Sequence, residues 1–414
     1  MDLKRRVAIV NWSLRIAGGV ERYIATVVPE LLTEFEVALV SEVDEPADRD
    51  EVYPSLTEHR WCVGQIGIEA TLAAVRDWRP DVLYVHRVDS ALFLEELLKV
   101  APAVRFVHDY SDTCISGLKT WQSSGPTVCT RRLAWPCLLH YFPHRCGGLN
   151  PATMIRRFRT ASVRARVLPL FRTVVTASAH MRDEVVRQGV SPDRATCIPT
   201  VAHQGLGATA SGTADRSARR VAATSGSAPA PWRLLFIGRM DDLKGGSLLI
   251  ASLERVAARL GLPLSLTLAG DGPARADWER EAQSLSSVHS IEVRFAGWLA
   301  HEAMDALLQQ TDLLVVPSIW AEPFGVVGPE AGAYGVPAAA FAVGGIPEWL
   351  VEGVNGHLAN ALPPTAAGLA EAIVRCLEEP AHYARLSAGA VANARRYELK
   401  AHMDALSATL RAAV

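Results

Sequence analysis

The chain has 414 residues, of which 49% are hydrophobic and 21% charged, and its formal net charge is −2. A chain of this length exceeds one ordinary domain, so we expect two domains, each with its own core. The near-neutral charge gives no general attraction to nucleic acid, and the lack of a run of about 18 apolar residues argues against a membrane-spanning helix.

The N-terminus predicts no secretory leader, because Met1–Arg6 leads directly into a short strand-like run rather than into a long apolar region. The cysteines number seven, which is an odd count. We therefore expect reduced thiols and a cytoplasmic location.

In the first half, short apolar runs alternate with amphipathic segments. A helix from Val20 to Phe35 follows the turn at Gly18 and Gly19, and Ser178 is expected to cap a later helix. The alternation predicts a parallel, doubly wound α/β sheet. The predicted strands are Val7–Val10, Val37–Val40, Val82–Val85, Val104–His108 and Thr173–Ala177.

The alternation stops between Gln204 and Pro231, where Gly, Ala, Ser and Thr dominate. We interpret residues 204–231 as a flexible linker between an N-terminal domain, 1–203, and a C-terminal domain, 232–395. A disordered insertion within one domain is the alternative. Residues 396–414 are predicted to form a C-terminal helix, for which the N-terminal domain is a candidate packing partner.

The α/β pattern restarts after this linker. A long helical stretch is expected from Leu369 to Leu410, with Pro380 and Gly389 as its few helix breakers. Ligands of open parallel sheets bind beyond the carboxyl ends of the strands, so the loops that follow the strands are candidate binding segments. The predicted strands here are Leu234–Ile237, Leu264–Ala269, Val293–Ala296 and Leu313–Val316.

Two cations follow the first of these strands. Gly238 ends the strand, and Arg239 and Lys244 precede the next helix, whose free N–H groups also attract anions. This arrangement predicts a diphosphate site, and a solvated helix start is the alternative. Gly270 and Gly272 follow the next strand, where the pattern fits a plain turn and a ligand-binding role equally well.

Two carboxylates lie in the segment from Ser318 to Glu330. Glu322 belongs to the loop after a strand, and Glu330 follows Gly328 and Pro329, with Pro329 expected at the first helical position. Carboxylates placed in this way can hold the hydroxyls of a sugar and of a ribose. In the alternative interpretation, Glu330 only complements the helix dipole and Glu322 lies on a solvated loop.

Taken in order, these segments resemble the nucleotide-binding domain of the retaining glycosyltransferases of family 4, and the first half of the chain resembles that family more loosely. The close resemblance runs from about Trp232 to Leu358. Its segments are Gly238-Arg239 with Lys244-Gly245, Ala269-Gly270-Asp271-Gly272-Pro273, Glu322-Pro323-Phe324-Gly325 with Glu330-Ala331, Gly335-Val336-Pro337, Gly344-Gly345 with Pro347-Glu348, and Asn355-Gly356. The looser ones are Gly18-Gly19-Val20-Glu21-Arg22, Val107-His108-Asp109, Ser178 and Ile198-Pro199.

The resemblance implies a GT-B fold, in which two Rossmann-like, doubly wound α/β domains face each other across a cleft. It also implies a retaining transfer of a sugar from a nucleotide diphosphate sugar to a hydroxyl of a sugar or lipid-linked saccharide acceptor. Cell-surface polysaccharide or glycolipid synthesis is the expected context. Residues 1–203 would form the acceptor side, and residues 232–395 would bind the nucleotide sugar.

The resemblance also implies roles for single residues. Arg239 and Lys244 would bind the donor diphosphate and stabilise the leaving group, Glu322 would lie beside the donor sugar, and Glu330 would bind the ribose. His108 would face the donor sugar and the acceptor, with a purely structural histidine as the alternative. The expected catalytic residues are His108, Glu322, Arg239 and Lys244. The expected donor-binding residues are Gly18, Gly19, Gly238, Arg239, Lys244, Gly270, Gly272, Trp298, Glu322, Pro323, Phe324, Gly325 and Glu330.

No metal and no other cofactor is expected, because Arg239 and Lys244 can replace a metal at the diphosphate. The one Asp-x-Asp, Asp48-Arg49-Asp50, lies in an acidic stretch that we interpret as a solvated loop. Two departures from the family pattern concern packing. Gly328-Pro329 stand where bulky apolar residues are usual, and Gly332-Ala333-Tyr334 replace a run of small residues.

The segment 113–182 has no Asp or Glu but eleven basic residues, with apolar side chains between them. One hypothesis is a basic, apolar surface that docks on anionic lipid, where a lipid-linked acceptor would reside. Such docking would place the protein at the inner face of the membrane as a peripheral protein. The alternative is an arginine-rich solvated helix whose charges pair with acids elsewhere in the fold.

The same segment contains Cys114, Cys129, Cys137 and Cys146. Four thiols can bind zinc, but their spacing lacks the Cys-x2-Cys pair that is typical of zinc knuckles. Ordinary buried thiols are therefore the preferred interpretation, with a structural zinc site as the alternative.

Two other functions are compatible with part of the pattern. A GT-B sugar-nucleotide epimerase would need acid and base groups in the cleft but no acceptor site. A non-catalytic nucleotide-sugar-binding protein would not need to keep all four of the charged residues expected at the donor site. The presence of Arg239, Lys244, Glu322 and Glu330 together favours a glycosyltransferase over both.

Overall fold

The computed structural model describes residues 4–16, 18–44, 59–123, 125–202, 230–287 and 291–414. The predicted linker, 204–231, lies outside these residues except for its last two positions. The motif Asp48-Arg49-Asp50 also lies outside the described part of the chain.

The chain divides into two compact units, neither of which is continuous in sequence. Unit 1 consists of Met1–Lys119, Cys129–Val201 and Leu399–Val414. Unit 2 consists of Thr120–Val128 and Ala202–Glu398. The C-terminal helix therefore groups with unit 1, and a short segment from within residues 1–203 groups with unit 2.

Unit 1 contains a seven-stranded sheet in which all pairings are parallel. The five strands predicted in this half are confirmed, although the fourth ends at Val107, one residue before His108, and the fifth ends at Thr176, one residue before Ala177. Val7–Val10 and Val82–Val85 are completely buried, as is typical of parallel strands covered on both faces. The spatial order is Arg60–Cys62, Glu36–Ser41, Arg6–Asn11, Val82–Val85, Ala103–Val107, Thr173–Thr176 and Ala195–Cys197.

The helices of unit 1 begin at recognisable caps. The Ser178 hydroxyl accepts a hydrogen bond from the Met181 amide, as its position predicted, and the Asn150 side chain accepts two such bonds from the helix that follows it. The helices are Gly19–Glu34, Val63–Ile66, Ile68–Trp78, Ala91–Leu97, Pro136–Tyr141, Pro151–Val167, Ala179–Gln188 and Leu399–Ala413, with 3-10 turns at Leu168–Leu170 and Pro192–Arg194.

Unit 2 contains a six-stranded parallel sheet and a small antiparallel pair, Thr120–Trp121 with Thr127–Val128. Its four predicted strands are present. Ala338–Phe341 and Gly356–Ala359 were not predicted, because runs rich in alanine and glycine lack the β-branched residues that indicate a strand. The spatial order of the larger sheet is Ile291–Gly297, Leu264–Ala269, Trp232–Ile237, Leu313–Val316, Ala338–Phe341 and Gly356–Ala359.

The helical stretch expected from Leu369 to Leu410 is present as three helices, with a break at Pro380 as expected, whereas Gly389 lies inside a helix without interrupting it. Pro380 begins a new helix at a position where its missing N–H costs nothing, and Arg395–Tyr397 forms a 3-10 turn before the last helix. None of the described helices is long and apolar enough to cross a membrane. The helices of unit 2 are Gly246–Leu260, Arg275–Gln283, His301–Gln310, Val327–Ala333, Ile346–Trp349, Ala366–Leu377 and Pro380–Ala394, with 3-10 turns at Asp242–Lys244, Ser284–Ser287 and Arg395–Tyr397.

Candidate functional site

The carboxyl ends of neighbouring strands bring the predicted donor loops of unit 2 together. Ile237 is paired with Ala269, and Ala269 with Gly297, so the loops that begin at Gly238, Gly270 and Trp298 start side by side. The amide of Gly238 donates to the carbonyl of Ala269 at 3.0 Å, and the amide of Gly270 donates to that of Gly297 at 2.7 Å. The loops therefore form one continuous edge.

Glycine is required where two of these loops cross. Gly270 has a φ of +133°, and a Cβ atom on it would lie 2.0 Å from the carbonyl oxygen of Gly238. Beyond this crossing, the amide of Met240 donates to the carbonyl of Asp271, and the Gly272 amide donates to the Asp271 carboxylate. The Gly-Asp-Gly turn therefore supports the backbone that carries Arg239.

An ion pair between Lys244 and Glu322 forms the charged centre of this edge. Lys244 Nζ lies 2.5 Å from Glu322 Oε1, and the Ser318 hydroxyl donates to the same oxygen at 2.6 Å. Glu322 is only 5% exposed, and the Lys244 ammonium also lies 5.3 Å from the centre of the Trp320 ring. The predicted cation and carboxylate are thus in direct contact, a contact that the sequence did not predict.

Close backbone packing fixes both partners of this ion pair. Gly245, directly after the lysine, has a φ of +73°, and a Cβ atom there would lie 1.9 Å from the carbonyl oxygen of Pro317. The Ile319 amide donates to the Leu243 carbonyl at 2.9 Å, and the Gly345 amide donates to the Glu322 carbonyl at 2.7 Å. Neither charged side chain is carried on a loose loop.

Thr120 contributes to the same loop from the small antiparallel pair. Its hydroxyl oxygen accepts a hydrogen bond from the amide of Ala321, the residue before Glu322, at 3.4 Å. No sequence signal indicated this contact, because Thr120 and Ala321 are 201 residues apart.

Arg239 differs from Lys244 in its surroundings. Its side chain is exposed, and it makes no ion pair or hydrogen bond with any residue that the structure describes. Because an arginine can donate several hydrogen bonds in a planar array, Arg239 is available to an anion such as a diphosphate at the edge that carries Lys244.

Glu330 lies in the first turn of the helix Val327–Ala333 and is half-buried. The prediction that Pro329 occupies the first helical position is wrong, because the helix begins at Val327 and Pro329 is its third residue. Proline is tolerated there since the first-turn amides have no intrahelical acceptor.

The two departures from the family pattern have a packing explanation in Trp349 and the helix Pro380–Ala394. A Cβ atom on Gly328 would lie 2.2 Å from the Trp349 ring, so the indole occupies the space of the missing side chain. A Cβ atom on Gly332 would lie 3.0 Å from the Ala390 carbonyl oxygen, which shows how closely that helix approaches. The indole N–H donates to the Phe324 carbonyl at 2.7 Å.

The remaining predicted donor residues occupy different environments. Trp298 is 72% exposed and directly follows the edge strand of the sheet. Phe324 is buried, and its ring packs against Tyr397 with centroids 5.3 Å apart. Pro323 and Gly325 are half-buried beside it. Trp298 is thus the most accessible of these side chains, whereas Phe324 belongs to the core.

Unit 1 has a separate pocket of about 220 Å³ at the carboxyl ends of its own central strands. The predicted residues Gly18, Gly19 and His108 all line it, together with Glu21 and Arg87. Asn11 Nδ2 donates to Glu21 Oε1 at 3.0 Å, and the Arg87 guanidinium lies 5.3 Å from the centre of the Trp12 ring. The pocket therefore offers a carboxylate and a cation that sequence analysis did not single out.

His108 has a histidine partner that sequence analysis missed. His86 Nδ1 lies 2.9 Å from His108 Nε2, and the His108 ring stacks on Phe106 at 4.5 Å. Burial lowers the pKa of His108 to about 3 and lowers the pKa of His86 well below its usual value. His86 follows Val82–Val85 just as His108 follows the adjacent strand, and this parallel position was the available signal.

Beside these histidines, a series of hydrogen bonds runs from Tyr23 through His402 to the backbone. The Tyr23 hydroxyl is 2.6 Å from the Tyr84 hydroxyl and 2.7 Å from His402 Nε2, while His402 Nδ1 donates to the Pro199 carbonyl at 2.7 Å. Burial lowers the pKa of His402 to about 4, so its Nε2 accepts from Tyr23 at neutral pH. The C-terminal helix thereby reaches the ring cluster around His108, since Tyr23 also contacts His108 edge-on at 5.3 Å.

The four clustered cysteines are free thiols. Burial, followed by the neighbouring thiols Cys114, Cys129 and Cys137, raises the pKa of Cys146 to about 12. Across the described ranges, no group of three or more His, Cys, Asp or Glu residues is placed to hold a metal ion.

Some basic residues of 113–182 pair with acids, and others are exposed and form no such pair with the residues that the structure describes. Lys119 forms a buried ion pair with Glu184 at 2.6 Å, Arg164 pairs with Asp89, and Arg166 pairs with Glu95. The exposed residues that we call the basic apolar surface are Arg145, Leu149, Ile155, Arg156, Arg157 and Arg159.

Two family models match the chain one after the other. The model described as Glycosyltransferase Family 4 matches residues 17–201, and the model described as Glycosyl transferases group 1 matches residues 220–392. Together they span both units of the structure.

Curated relatives are similar over parts of their length. The glycogen synthase of Mycobacterium tuberculosis is 29% identical over 310 residues, which are 75% of this chain and 63% of the relative. A D-inositol 3-phosphate glycosyltransferase of Catenulispora acidiphila is 33% identical over 187 residues, 44% of each chain. The matched region thus covers less than two thirds of the length of either relative.

Solved structures resemble the whole chain. Anabaena HepE in complex with UDP has a TM-score of 0.66 and 18% identity, and the match covers 99% of this chain and 100% of that one. The sucrose-phosphate synthase from Thermosynechococcus elongatus has a TM-score of 0.63 and 20% identity, with the same coverage. At such identities the likeness concerns the fold alone. The chain belongs to the family 4 glycosyltransferases and has their GT-B fold, with two Rossmann-like α/β domains.

Proposed function

We propose that the protein is a retaining glycosyltransferase that moves a sugar from a nucleotide diphosphate sugar to a hydroxyl of a saccharide acceptor. The observation that carries the proposal is the cluster of Lys244, Glu322 and Ser318 beside the exposed Arg239, at the carboxyl edge of a parallel sheet. This edge is where open α/β sheets bind their ligands.

The names of similar proteins support a nucleotide sugar as the donor. Crystal structures of Anabaena HepE with a similar fold are described in complex with UDP and with UDP-glucose. The curated relatives are named as a glycogen synthase and as inositol glycosyltransferases. A uridine nucleotide sugar is accordingly the first donor to test.

In the proposed reaction, cations stabilise the diphosphate as negative charge develops on the leaving oxygen. An ammonium has three N–H donors, and Glu322 engages Lys244 through one short contact. Donors therefore remain for a phosphate oxygen, and Arg239 supplies more. Glu322, held by Ser318, would accept from a hydroxyl of the donor sugar, and Glu330 from the ribose.

We propose that no metal takes part, because Lys244 and Arg239 would supply two cations to the diphosphate. The test is transfer activity after treatment with EDTA, with and without added Mg²⁺ or Mn²⁺. Activity unchanged by EDTA supports the proposal, and activity that returns only with added metal contradicts it.

The donor experiment tests the main proposal. The protein is incubated with uridine, guanosine and adenosine diphosphate sugars and with saccharide acceptors. Free nucleotide diphosphate together with a glycosylated product supports transfer, and the anomeric proton coupling of the product by NMR tests retention. An epimerised donor would instead indicate an epimerase, and binding without turnover would indicate a binding protein.

We further propose that the protein acts in cell-surface polysaccharide or glycolipid synthesis, as a cytoplasmic protein that binds the inner face of the membrane. The basic apolar surface supports this, since exposed Leu149 and Ile155 accompany exposed arginines. Basic residues next to apolar ones favour an anionic lipid surface, each basic residue contributing about 1 kcal/mol.

The membrane proposal is tested by co-sedimentation with phosphatidylglycerol vesicles and with neutral vesicles. The triple variant R156E, R157E and R159E should lose binding to the anionic vesicles. A matched control reverses the same number of charges on exposed positions of unit 2, with R255E, R259E and R294E. Equal recovery of the unmodified protein with both vesicle types, or equal losses in both variants, would exclude this docking surface.

A further inference from the structure

A second histidine lies directly against His108 in the pocket of unit 1. His86 is completely buried, and its Nδ1 atom is 2.9 Å from His108 Nε2. The two rings are tilted by 33° with centroids 5.2 Å apart. Since both groups are neutral at physiological pH, one of these nitrogens carries the proton of the hydrogen bond and the other accepts it.

The other nitrogen of His86 decides which of the two donates. His86 Nε2 is buried and has no hydrogen-bond partner in the described part of the chain. A proton on Nε2 would therefore be a buried donor without an acceptor, which is rarer in folded proteins than an acceptor without a donor. The neutral ring thus carries its proton on Nδ1 and donates it to His108 Nε2.

This assignment fixes the proton of His108 as well. Because His108 Nε2 accepts the hydrogen bond, the one proton of its neutral ring is on Nδ1. The ring is held from the other sides by Phe106, stacked at 4.5 Å, and by Tyr23, edge-on at 5.3 Å. His108 therefore keeps an N–H donor on Nδ1, the nitrogen for which the described residues offer no hydrogen-bond partner.

We propose that His86 is a positioning residue, whose Nδ1–H holds His108 in the Nδ1–H tautomer and presents that N–H to a hydroxyl oxygen of the sugar bound in the pocket. This inference rests on the proposed glycosyl transfer for the identity of the ligand, but the tautomer itself is a property of the free protein. His86 touches no reacting atom and acts only through His108.

Nitrogen NMR tests the tautomer without any substrate. Histidine side chains are labelled with ¹⁵N, and long-range proton–nitrogen spectra distinguish a protonated from a bare ring nitrogen. The signals of His108 and His86 are assigned by their loss in H108Q and H86N. We expect protonated Nδ1 and bare Nε2 on both rings at pH 7.5. A proton on Nε2 of His108 would overturn the proposal.

Two variants of similar size test the positioning role. In H86N the amide nitrogen occupies about the place of Nδ1 and can still donate to His108, whereas in H86Q the amide reaches toward the place of Nε2. We expect H86N to keep kcat within about threefold, and H86Q to lower kcat on the order of tenfold with little change in KM, as for one lost hydrogen bond.

The outcomes separate this inference from the proposed function. If both variants fold and lose activity equally, or neither loses any, the positioning role is wrong although transfer stands. If the unmodified protein transfers no sugar, the proposed function fails, and the NMR spectra of H86N and H86Q still show whether the His108 tautomer depends on a donor at Nδ1. A variant that does not fold is replaced by H86S with added imidazole, where recovery of the His108 Nδ1–H signal supports the proposal and no recovery contradicts it.

Discussion

The charged edge of unit 2 and the histidine pocket of unit 1 occupy equivalent places in two similar sheets, but they differ in chemistry. In unit 2, Lys244 and Glu322 face each other as a formal ion pair, with Arg239 exposed nearby. In unit 1, burial keeps His86 and His108 neutral, and the contacts are ring stacking and hydrogen bonds between neutral groups.

This difference indicates that the two sites suit different chemical groups of a ligand. An edge with fixed cations would suit an anionic diphosphate, because Lys244 keeps N–H donors beyond its contact with Glu322 and Arg239 is exposed. In the pocket of unit 1, the neutral pair of His86 and His108 offers directed hydrogen bonds, which suit hydroxyl groups, beside the charged side chains of Glu21 and Arg87. Both sites lie where parallel strands end, so the fold determines where each site lies, and the side chains determine which groups it can bind.

The largest effect is expected from breaking the ion pair. Lys244→Ala removes a cation from the proposed diphosphate site, and we expect kcat/KM to fall on the order of a thousandfold. The fold should persist, although Glu322 is left buried without its partner, at a cost of about 1–3 kcal/mol in the free energy of unfolding. Steady-state kinetics and urea denaturation measure the two effects.

Lys400→Ala is the matched control, because Lys400 is an exposed lysine of the last helix that pairs with Asp404 within its own helix. That variant should keep full activity. Full activity in Lys244→Ala as well would refute the role of the charged edge.

A smaller effect is expected from disturbing the backbone that carries Lys244. Gly245→Ala places a Cβ atom against the Pro317 carbonyl, and we expect a loss of about 3 kcal/mol in the free energy of unfolding. Gly353→Ala is the matched control, since Gly353 has a φ of +72° against +73° for Gly245 but has no atom within 4 Å of its Cβ position.

The control should lose only about 1 kcal/mol, the cost of a left-handed backbone for alanine. Urea denaturation of both variants gives the comparison. Equal losses would show that the close approach of Gly245 to Pro317 contributes nothing beyond the backbone angle.

The smallest effect concerns pH and the buried histidines of unit 1. Burial lowers the pKa of His402 to about 4, below the value of about 6.5 for an unfolded chain, so the unfolded state binds more protons between these values. Stability should therefore be complete above pH 6.5 and fall as the pH drops toward 4. His86 and His108 shift in the same direction.

His402→Gln should reduce this loss by about 1 kcal/mol per pH unit between pH 6 and 5. The measurement is urea denaturation at several pH values, with His59→Gln, a half-exposed histidine of the same unit, as the control. An unchanged slope in the His402 variant would mean that this histidine is already charged in the folded protein.

The sequence predicted the charged edge of unit 2 better than the histidine pocket of unit 1, for a physical reason. Arg239, Lys244, Glu322 and Glu330 stand in contiguous motifs with glycine turns, so local spacing made them candidates, and the family resemblance then supplied their expected roles. The ring cluster joins Tyr23, Tyr84, His86, His108 and His402, which approach one another only through strand order and the packing of the last helix. No local pattern encodes that approach.

The strands also differed in how well the sequence predicted them. Strands rich in valine and leucine were recognisable, whereas Ala338–Phe341 has neither β-branched nor alternating residues. The small residue at Gly328, where the family has a bulky one, was visible in the sequence. The Trp349 ring that fills the space of the missing side chain belongs to a helix that begins eighteen residues later.

The grouping of the chain into units has a practical consequence for anyone who wishes to study the halves separately. The polypeptide passes between the units at 119/120, 128/129, 201/202 and 398/399. A fragment that stops at residue 203 lacks Leu399–Val414, and the Tyr23 hydroxyl then loses its acceptor on His402. Dissection of this protein therefore calls for a circular permutation or for co-expression of the terminal helix, since a single cut leaves one half without part of its core.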